Sequence, residues 1–569
     1  MHHFMRFLVI TALLMLMACD TGSPEAQGGP VAMRRLTEQQ YHNAIADTFD
    51  SQILVAGRFE PDSRRLGLNA VGTSLVSVTP SGFEQYEAMA LYIVGQVTSP
   101  QHRQRLLRCQ PQDAARADDD CSRLMLGQWG RSLFRRPLTQ AELQSRTRIA
   151  SETATASADF YAGLGLALSS LLVSPDFLFR IEMLEAAATS EQSEPLQLSS
   201  LSLATRLSYF LWNRGPDEAL IAAAQHGELA SKEGLKREID RMLASAYLAG
   251  GVRAFFEDVF TFDQFTELSK DVARYPLFSS DIGELAKEQT LRYVVDHFVI
   301  QERDYPSLFT SRQLPMTAQL GPLYGLPVRS GQNWETLTLP ANYPRAGLLS
   351  QVSFSMLFAH PGRSSPTLRG VFMREALLCQ TIPEAPADVD FTLFADDQQA
   401  EYKTARERLT QHATDGSCIK CHQFTDPIGL GLEVFDGIGK FRNTENGASI
   451  DTSGDLDGQS FANPIELGQA FARSPLVGAC LVENLYRYAV GREEVNTERR
   501  LLRYLEGQFE QSGYRLTELL REIASSEGFR TATRGDGQLA SPSGVIATNS
   551  VGKAPTVSMA PTTSTGESL

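Results

Sequence analysis

Cys418-Ile419-Lys420-Cys421-His422 is followed directly by Gln423-Phe424-Thr425-Asp426-Pro427-Ile428-Gly429, and the rest of the chain is organised around this stretch. A C-x-x-C-H run is the attachment signature of a c-type haem. Two thiols on one turn of helix can add to the two vinyl groups of one haem, and the adjacent histidine then lies under the iron as an axial ligand. A carbonyl near Pro427 can accept a hydrogen bond from the second ring nitrogen of His422. The motif therefore predicts one covalent haem c, held by Cys418, Cys421 and His422.

Three other interpretations of this motif stay open. A zinc site would need further ligands, and the chain has no second C-x-x-C to supply them. A thioredoxin-like redox pair would follow a strand in a βαβ setting, whereas residues 404–417 are charged, have helical character and end in Asp415-Gly416-Ser417. A plain disulfide between Cys418 and Cys421 would leave His422 without a role. The haem interpretation uses all three residues and is preferred.

The distal haem ligand is less directly marked than the proximal one. His360 lies in the loop Ala359-His360-Pro361-Gly362, outside any helical pattern, and is the preferred distal candidate. Downstream of His422 the only methionine is Met559, in a tail rich in Ser and Thr. A five-coordinate or water-bound iron is the alternative to a protein ligand. The remaining candidates are His412, Met356 and Met373.

Two arginines are candidates for binding the haem propionates. A guanidinium matches a carboxylate at two points, so Arg369 and Arg442 can each hold a propionate, although a surface salt bridge is an equally good interpretation. Glu433 and Asp436 lie one helical turn apart, as a catalytic acid pair would. Because nothing in the sequence raises the pKa of either group, a cap or turn role is the better prediction for both.

The N-terminus carries the marks of an exported protein. Arg6 precedes an apolar run from Phe7 to Ala18, which is too short to span a membrane and resembles a signal peptide. Its end, Leu16-Met17-Ala18-Cys19, matches the bacterial lipobox, in which the cysteine becomes the lipidated first residue. We therefore expect a signal peptide over residues 1–18, a lipid anchor on Cys19 and a flexible tether over residues 19–33. An ordinary signal peptide cut nearby is the alternative.

The cysteines indicate the cellular compartment, and the net charge excludes one class of partner. Of the seven cysteines, four remain once Cys19 and the motif are set aside. Cys109 and Cys121 bracket a short polar loop and are candidates to pair locally, and Cys379 and Cys480 would then bridge two helical segments in an oxidising compartment. The formal net charge of −15 and the absence of a basic block argue against a nucleic-acid partner.

Hydrophobic residues recur at helical spacing along most of the chain, so the predicted fold is mainly α, with several packed helical subdomains, a cytochrome-c-like CxxCH segment and disordered termini. Thr37 with Gln40, and Thr139 with Glu142, match capping boxes at helix starts. Between Thr310 and Tyr343 the pattern fades into a long loop or short hairpins. The predicted units are an N-terminal helical unit (34–97), a second helical unit (98–185), a central helical domain (195–330), a domain with the CxxCH motif (340–445), a C-terminal helical domain (446–533) and a disordered tail (534–569), with a linker over 186–195.

Several blocks of the chain together are similar to a known family. They are Leu133-Phe134-Arg135-Arg136-Pro137-Leu138-Thr139, Leu207-Ser208-Tyr209-Phe210-Leu211-Trp212, Ser364-Ser365-Pro366-Thr367-Leu368-Arg369-Gly370, and the C-x-x-C-H motif with Asp426-Pro427-Ile428-Gly429 and Leu432-Glu433-Val434-Phe435-Asp436-Gly437-Ile438-Gly439. From Arg35 to about Phe529 the chain resembles the planctomycete-type cytochrome-c-like proteins, built from a tandem of domains of unknown function. The resemblance implies a largely helical, exported protein with one haem-type motif near its end, and it implies no particular reaction. One departure is Met316-Thr317, where relatives more often carry a Phe-Val-Asn-like run.

Together these features predict a lipid-anchored protein of the bacterial cell envelope, on the periplasmic or outer-membrane surface. It would carry one c-type haem and serve electron transfer or a haem-linked oxidation, as a component of an oxidoreductase with a redox or envelope partner protein. A hypothesis from another class is a helical scaffold, or a lipoprotein that binds a polymer or a partner, in which C-x-x-C-H is a structural or metal site.

Overall fold

Side-chain caps start the first helices where the sequence predicts them. Thr37 accepts a hydrogen bond from the backbone N–H of Gln40 and Thr139 from that of Glu142, and the two longer side chains bond back to complete both capping boxes. The computed structural model describes residues 23–26, 28–185, 196–328, 333–383, 402–412 and 419–534. Over these residues the fold is mainly α, as predicted.

Several predicted features lie outside the described residues. They are the signal peptide, Cys19, Cys418, the linker over 186–195 and all of the predicted tail except its first residue. Within the described part of the chain, no helix has the length and apolar character needed to cross a membrane.

The N-terminal helices pack around one apolar core. Tyr41, Met89, Trp129 and Leu168 meet there from four different helices. The predicted disulfide between Cys109 and Cys121 is present, with a Cα–Cα distance of 5.7 Å. The elements are β1 (Arg34–Arg35), α1 (Glu38–Thr48), α2 (Asn69–Gly72), α3 (Pro80–Val97), α4 (Pro100–Leu106), α5 (Asp119–Phe134), α6 (Gln140–Ser157), α7 (Phe160–Leu172), α8 (Pro175–Leu178) and β2 (Phe179–Arg180), and β1 pairs antiparallel with β2.

The central part of the chain adds helices and a two-stranded sheet. In the region where the pattern fades, β4 (Gln313–Met316) and β5 (Glu335–Thr338) pair antiparallel, with Met316 opposite Glu335, and a short helix lies in the connection between them. A single π-helical turn, Asp296–Ile300, extends the last long helix of this part. The elements are β3 (Leu196–Gln197), α9 (Ser200–Trp212), α10 (Glu218–Gln225), α11 (Lys232–Leu243), α12 (Leu248–Val259), α13 (Ser280–Val295), β4 (Gln313–Met316), α14 (Gly321–Tyr324) and β5 (Glu335–Thr338).

The C-terminal part shares one apolar core with the central helices. The predicted disulfide between Cys379 and Cys480 is present, with a Cα–Cα distance of 5.2 Å, and two disulfides indicate an oxidising, extracytoplasmic compartment. A π-helical turn, Met373–Leu377, follows α16 (Pro366–Phe372). The elements are α15 (Val352–Leu357), β6 (Ala359–His360), β7 (Arg363–Ser364), α16 (Pro366–Phe372), α17 (Ala405–His412), α18 (Ile419–Leu430), β8 (Thr444–Glu445), β9 (Ala448–Ser449), β10 (Gly454–Leu456), β11 (Gln459–Phe461), α19 (Pro464–Arg473), α20 (Pro475–Val490), α21 (Arg499–Gln511), α22 (Leu516–Ser525), α23 (Glu527–Arg530) and β12 (Thr531–Ala532).

A buried ion cluster, formed by Arg34, Glu182 and Arg206, joins distant parts of the chain. One carboxylate oxygen of Glu182 accepts hydrogen bonds from both arginines at 2.8 Å, and the other accepts one from Arg206 at 2.5 Å. Arg34 also donates to the carbonyl oxygen of Ala489, and Arg206 donates to that of Phe529 at 2.6 Å. The three charged side chains are at most 3% exposed. The N-terminal strand, α9 and the C-terminal helices therefore meet at one carboxylate.

The second half of the predicted tether is part of this folded body. The N–H of Gly28 donates to the Thr531 hydroxyl at 3.2 Å, and the N–H of Val31 donates to the carbonyl oxygen of Thr533 at 3.1 Å. A Cβ atom at Gly28 would overlap the carbonyl oxygen of Thr531, and Gly29 packs against the guanidinium of Arg492. The prediction of a flexible tether over residues 19–33 is thus wrong for residues 28–33. Their glycines allow close approach to the last strand instead of providing flexibility.

Helices α16 and α18 cross at two glycines. A Cβ atom at Gly370 would overlap the carbonyl oxygen of Thr425, and one at Gly429 would overlap that of Pro366. The two backbones therefore approach each other more closely than any larger residue would allow. This contact fixes the position of α18, which carries the end of the C-x-x-C-H motif.

We expect Glu182→Gln to lower the free energy of unfolding by about 3–5 kcal/mol, because it leaves two buried arginines without a counter-charge. Glu228→Gln is a matched control, since the pair that Glu228 forms with Arg237 is exposed and should contribute at most about 1 kcal/mol. Chemical denaturation measures both variants. Equal losses in the two would contradict the role given to the buried cluster.

Acid should weaken the same cluster. Burial alone would raise the pKa of Glu182, but Arg206 and Arg34 outweigh burial and lower it to about 2 from the ordinary 4.5. The paired carboxylate therefore contributes its full stability above pH 4.5 and loses it as the pH falls toward 2. We expect the denaturation midpoint of the wild type to fall more steeply over this range than that of Glu182→Gln. Parallel curves would show that other groups dominate acid unfolding.

Gly370→Ala should push α16 and α18 apart and cost about 1–3 kcal/mol of unfolding free energy, as overpacking does. Gly95→Ala is the matched control, because Gly95 lies within α3 and a Cβ atom there meets nothing within 4 Å. Replacing that glycine should be neutral or stabilise by up to about 1 kcal/mol. The pair of denaturation curves tests the close crossing, and a neutral Gly370→Ala would disprove it.

Candidate functional site

Helix α18 carries the described part of the C-x-x-C-H motif. The helix begins at Ile419, the residue after Cys418 in the chain. Cys421 and His422 therefore lie in its first turn. Cys421 is a half-buried free thiol, and its Sγ lies 3.6 Å from the carbonyl oxygen of Pro383. A thiol beside a histidine on one helical turn is the arrangement that covalent haem attachment requires.

The imidazole ring of His422 is oriented by Asp426, one helical turn further along α18. His422 Nδ1 and Asp426 Oδ2 are 2.8 Å apart, and the two side chains are 17% and 9% exposed. The expectation that a carbonyl near Pro427 accepts this hydrogen bond is wrong. Residues four apart on a helix face each other, so the carboxylate reaches the ring directly. With Nδ1 donating to Asp426, Nε2 is the ring nitrogen suited to bind a metal.

Two threonines hold the carboxylate of Asp426 in place. The hydroxyl of Thr367, on α16, donates to Oδ1 at 2.9 Å, and that of Thr425 approaches the same oxygen at 3.2 Å. One carboxylate oxygen thus binds the histidine and the other binds the threonines. Neither Asp426 nor Thr367 is predicted from the sequence as a site residue. The four-residue spacing between His422 and Asp426 was a usable signal for the aspartate, whereas nothing local marks the threonine, which lies 59 residues away.

Arg369, one predicted propionate partner, binds the main chain of the turn after α18. The guanidinium is buried and donates to the carbonyl oxygens of residues 432, 435 and 436 at 3.0, 2.9 and 2.8 Å. The carboxylate of Asp436 accepts hydrogen bonds from the N–H groups of Ile438 and Lys440, which confirms its predicted turn role. Arg369 therefore stabilises the loop, and its contact with a propionate stays a prediction.

Arg442, the other predicted propionate partner, belongs to a second buried network. It donates to the Ser364 hydroxyl at 3.0 Å and to Glu433, which also accepts a hydrogen bond from Ser364. Burial raises the pKa of Glu433 against the opposing effect of Arg369 and Arg442. The side chain of Arg442 is 28% exposed. It is thus the more accessible of the two arginines, and its contact with a propionate likewise stays a prediction.

The candidates for a distal ligand lie in different surroundings. His360 is exposed on β6, and its carbonyl oxygen accepts a hydrogen bond from Lys270 at 3.3 Å. His412 is the last residue of α17. Met356 and Met373 are buried in two separate apolar cores. His360 is therefore the one of these with a described side chain at the surface, and its distal role stays a prediction.

Large apolar side chains are exposed on the helix that carries the motif and on its neighbour. On α18 Ile419 is 43% and Phe424 50% exposed, and on α16 Leu368 is 39% exposed. Exposed apolar surface beside a candidate site favours contact with a ligand or a partner. Within the ranges that the structure describes, no three His, Cys, Asp or Glu side chains form a group that could hold a metal ion.

Five family models match successive segments of the chain. Each is described as a protein of unknown function: DUF1587 over residues 34–99, DUF1595 over 121–182, DUF1592 over 198–326, DUF1588 over 345–445 and DUF1585 over 457–529. The fourth segment contains α16, α18 and both predicted propionate partners. No curated protein and no solved structure matches the chain. With these five domains in tandem, the chain belongs to the planctomycete-type cytochrome-c-like multidomain proteins.

Proposed function

We propose that this protein is a lipid-anchored component of the bacterial cell envelope that carries one haem c and exchanges electrons with a partner protein. Cys418 and Cys421 would hold the haem through thioether bonds, and His422 would be the proximal ligand. Cys19 would carry the lipid. The observation that carries the proposal is the contact between His422 and Asp426, which gives the histidine of a C-x-x-C-H motif the orientation and tautomer of a metal ligand.

The surroundings of the motif fit a haem better than the other interpretations. Ile419 and Phe424 expose apolar surface on the same helix, as a large, flat, apolar group needs. Arg442 keeps part of its guanidinium accessible for a carboxylate. A bare disulfide between the motif cysteines would use none of these features. The two disulfides elsewhere in the chain support export to a compartment in which c-type haem is attached.

The residues of the chain would act by binding, orienting and holding charge. When bound, the haem supplies a one-electron couple at its iron. Asp426 holds the proton on Nδ1 of His422, and Thr367 holds Asp426. The rigid crossing at Gly370 and Gly429 limits movement of α18. The carboxylates of Glu433 and Asp436 are engaged in structural hydrogen bonds, to Ser364 and Arg442 and to the backbone of the turn after α18. Electron transfer is therefore the function that the geometry supports best.

Expression of the full chain together with a haem-attachment system tests the proposal. We expect a Soret band that survives acid–acetone extraction, because thioether bonds keep the haem on the protein. Replacing both Cys418 and Cys421 by alanine should abolish the band, and His422→Ala should change its position by removing the proximal ligand. As a control, replacing Cys109 and Cys121 by alanine removes the same number of cysteines elsewhere and should leave the band unchanged.

A colourless wild type with a disulfide between Cys418 and Cys421 would refute haem binding. That result would favour the helical scaffold, in which the motif is only a structural link.

A further inference from the structure

We infer that Asp426 is a positioning residue that sets a low reduction potential at the candidate haem. This inference rests on the proposed function, since it concerns the electronic effect of the contact on a haem-bound His422. It assigns a role to a side chain outside the C-x-x-C-H motif.

The hydrogen bond between His422 and Asp426 is strong because it is short and largely buried. His422 Nδ1 and Asp426 Oδ2 lie 2.8 Å apart, and the carboxylate is 9% exposed. Little water therefore competes for this carboxylate, and an ionised acceptor makes a stronger hydrogen bond than a neutral carbonyl. The contact gives the imidazole partial anionic character and makes it a stronger electron donor.

The two carboxylate oxygens of Asp426 bind different partners. Oδ2 faces the histidine, while Oδ1 accepts from Thr367 at 2.9 Å and lies 3.2 Å from the hydroxyl of Thr425. The Thr367 hydroxyl draws electron density away from the histidine, so it moderates the effect of Asp426. Thr367 and Asp426 therefore act on the histidine in opposite directions.

The hydrogen bond to Asp426 would change the relative stability of the ferric and ferrous states of the iron. The redox reaction is the gain or loss of one electron by the iron, exchanged with a redox centre on the partner protein. A carboxylate that pushes electron density through the imidazole stabilises the ferric state relative to the ferrous state. The reduction potential of the haem would therefore be lower than it would be if His422 donated to a neutral carbonyl oxygen.

Spectroelectrochemical titration of the haem-loaded full chain measures this effect without any assay of activity. In Asp426→Asn, which keeps the shape and removes the charge, we expect the ratio of reduced to oxidised haem at a fixed applied potential to rise at least tenfold, or about 59 mV for one electron. In Thr367→Val, which removes one hydroxyl from the carboxylate, we expect this ratio to fall. A general loosening of the site would shift both variants in the same direction.

Asp457→Asn is the matched control for charge alone. Asp457 pairs with Arg374, a residue that also donates to the carbonyl oxygen of Phe424 on α18, so the control removes an equal charge from a different contact. We expect a clearly smaller change than in Asp426→Asn. Equal shifts in the two variants, or an unchanged potential in Asp426→Asn, would overturn the inference.

Two further outcomes are decisive. If Asp426→Asn fails to fold, Thr367→Val decides alone: a lowered ratio supports the inference, and an unchanged or raised ratio overturns it. If the wild type carries no covalent haem, the proposed function itself fails. The extracted Soret band separates that failure from a failure of the role given to Asp426.

Discussion

The whole body depends on one buried carboxylate and the two arginines that bind it. Burying Arg34, Glu182 and Arg206 removes three charges from water, which is tolerated only when each charge is paired. Each arginine also donates to one backbone carbonyl oxygen, Arg34 to that of Ala489 and Arg206 to that of Phe529, so the cluster closes only when both ends of the chain are folded onto it. This requirement explains why the glycine-rich segment before Arg34 lies against the last strand. The protein is therefore one cooperative assembly at this point, although its sequence divides into five domain segments.

The segment Ser364–Gly370 plays a comparable part at the candidate site. Thr367 orients Asp426, and Ser364 donates a hydrogen bond to Glu433. Arg369 binds the turn after α18, and Gly370 allows α16 and α18 to come into contact. Each of these contacts ends on α18 or on the turn that follows it. One short stretch thus determines where the histidine of the motif points and how the loop beyond it is held. A change at Ser364, Thr367 or Gly370 would therefore reach His422 or the loop beyond it through hydrogen bonds and packing.

The parts of the structure that were predictable are those governed by local rules. The capping boxes at Thr37 and Thr139 involve residues three apart. The disulfides were predicted as candidate pairs only: a short loop marked Cys109 and Cys121, and Cys379 and Cys480 were the cysteines that remained. The cluster at Glu182 was not predictable, because Arg34 and Glu182 lie 148 residues apart and no pattern links them. The tether was misjudged because glycine serves close packing as readily as flexibility. Asp426 lies within reach of His422 by helical spacing, whereas the acceptor predicted from the sequence is a carbonyl near Pro427.

The link between body and site bears on the proposed electron transfer. The disulfide from Cys379 to Cys480 ties the end of the π-helical turn to α20, and Arg374 in that turn donates to the carbonyl oxygen of Phe424 on α18. The motif helix is therefore held by the buried guanidinium of Arg374, whose turn is linked to α20 by the disulfide, and by the glycine crossing with α16. A site held by fixed contacts changes little when a charge arrives or leaves, since its dipoles are already oriented. Small rearrangement favours rapid exchange of an electron, whereas a flexible scaffold would not need so many fixed contacts around a single histidine.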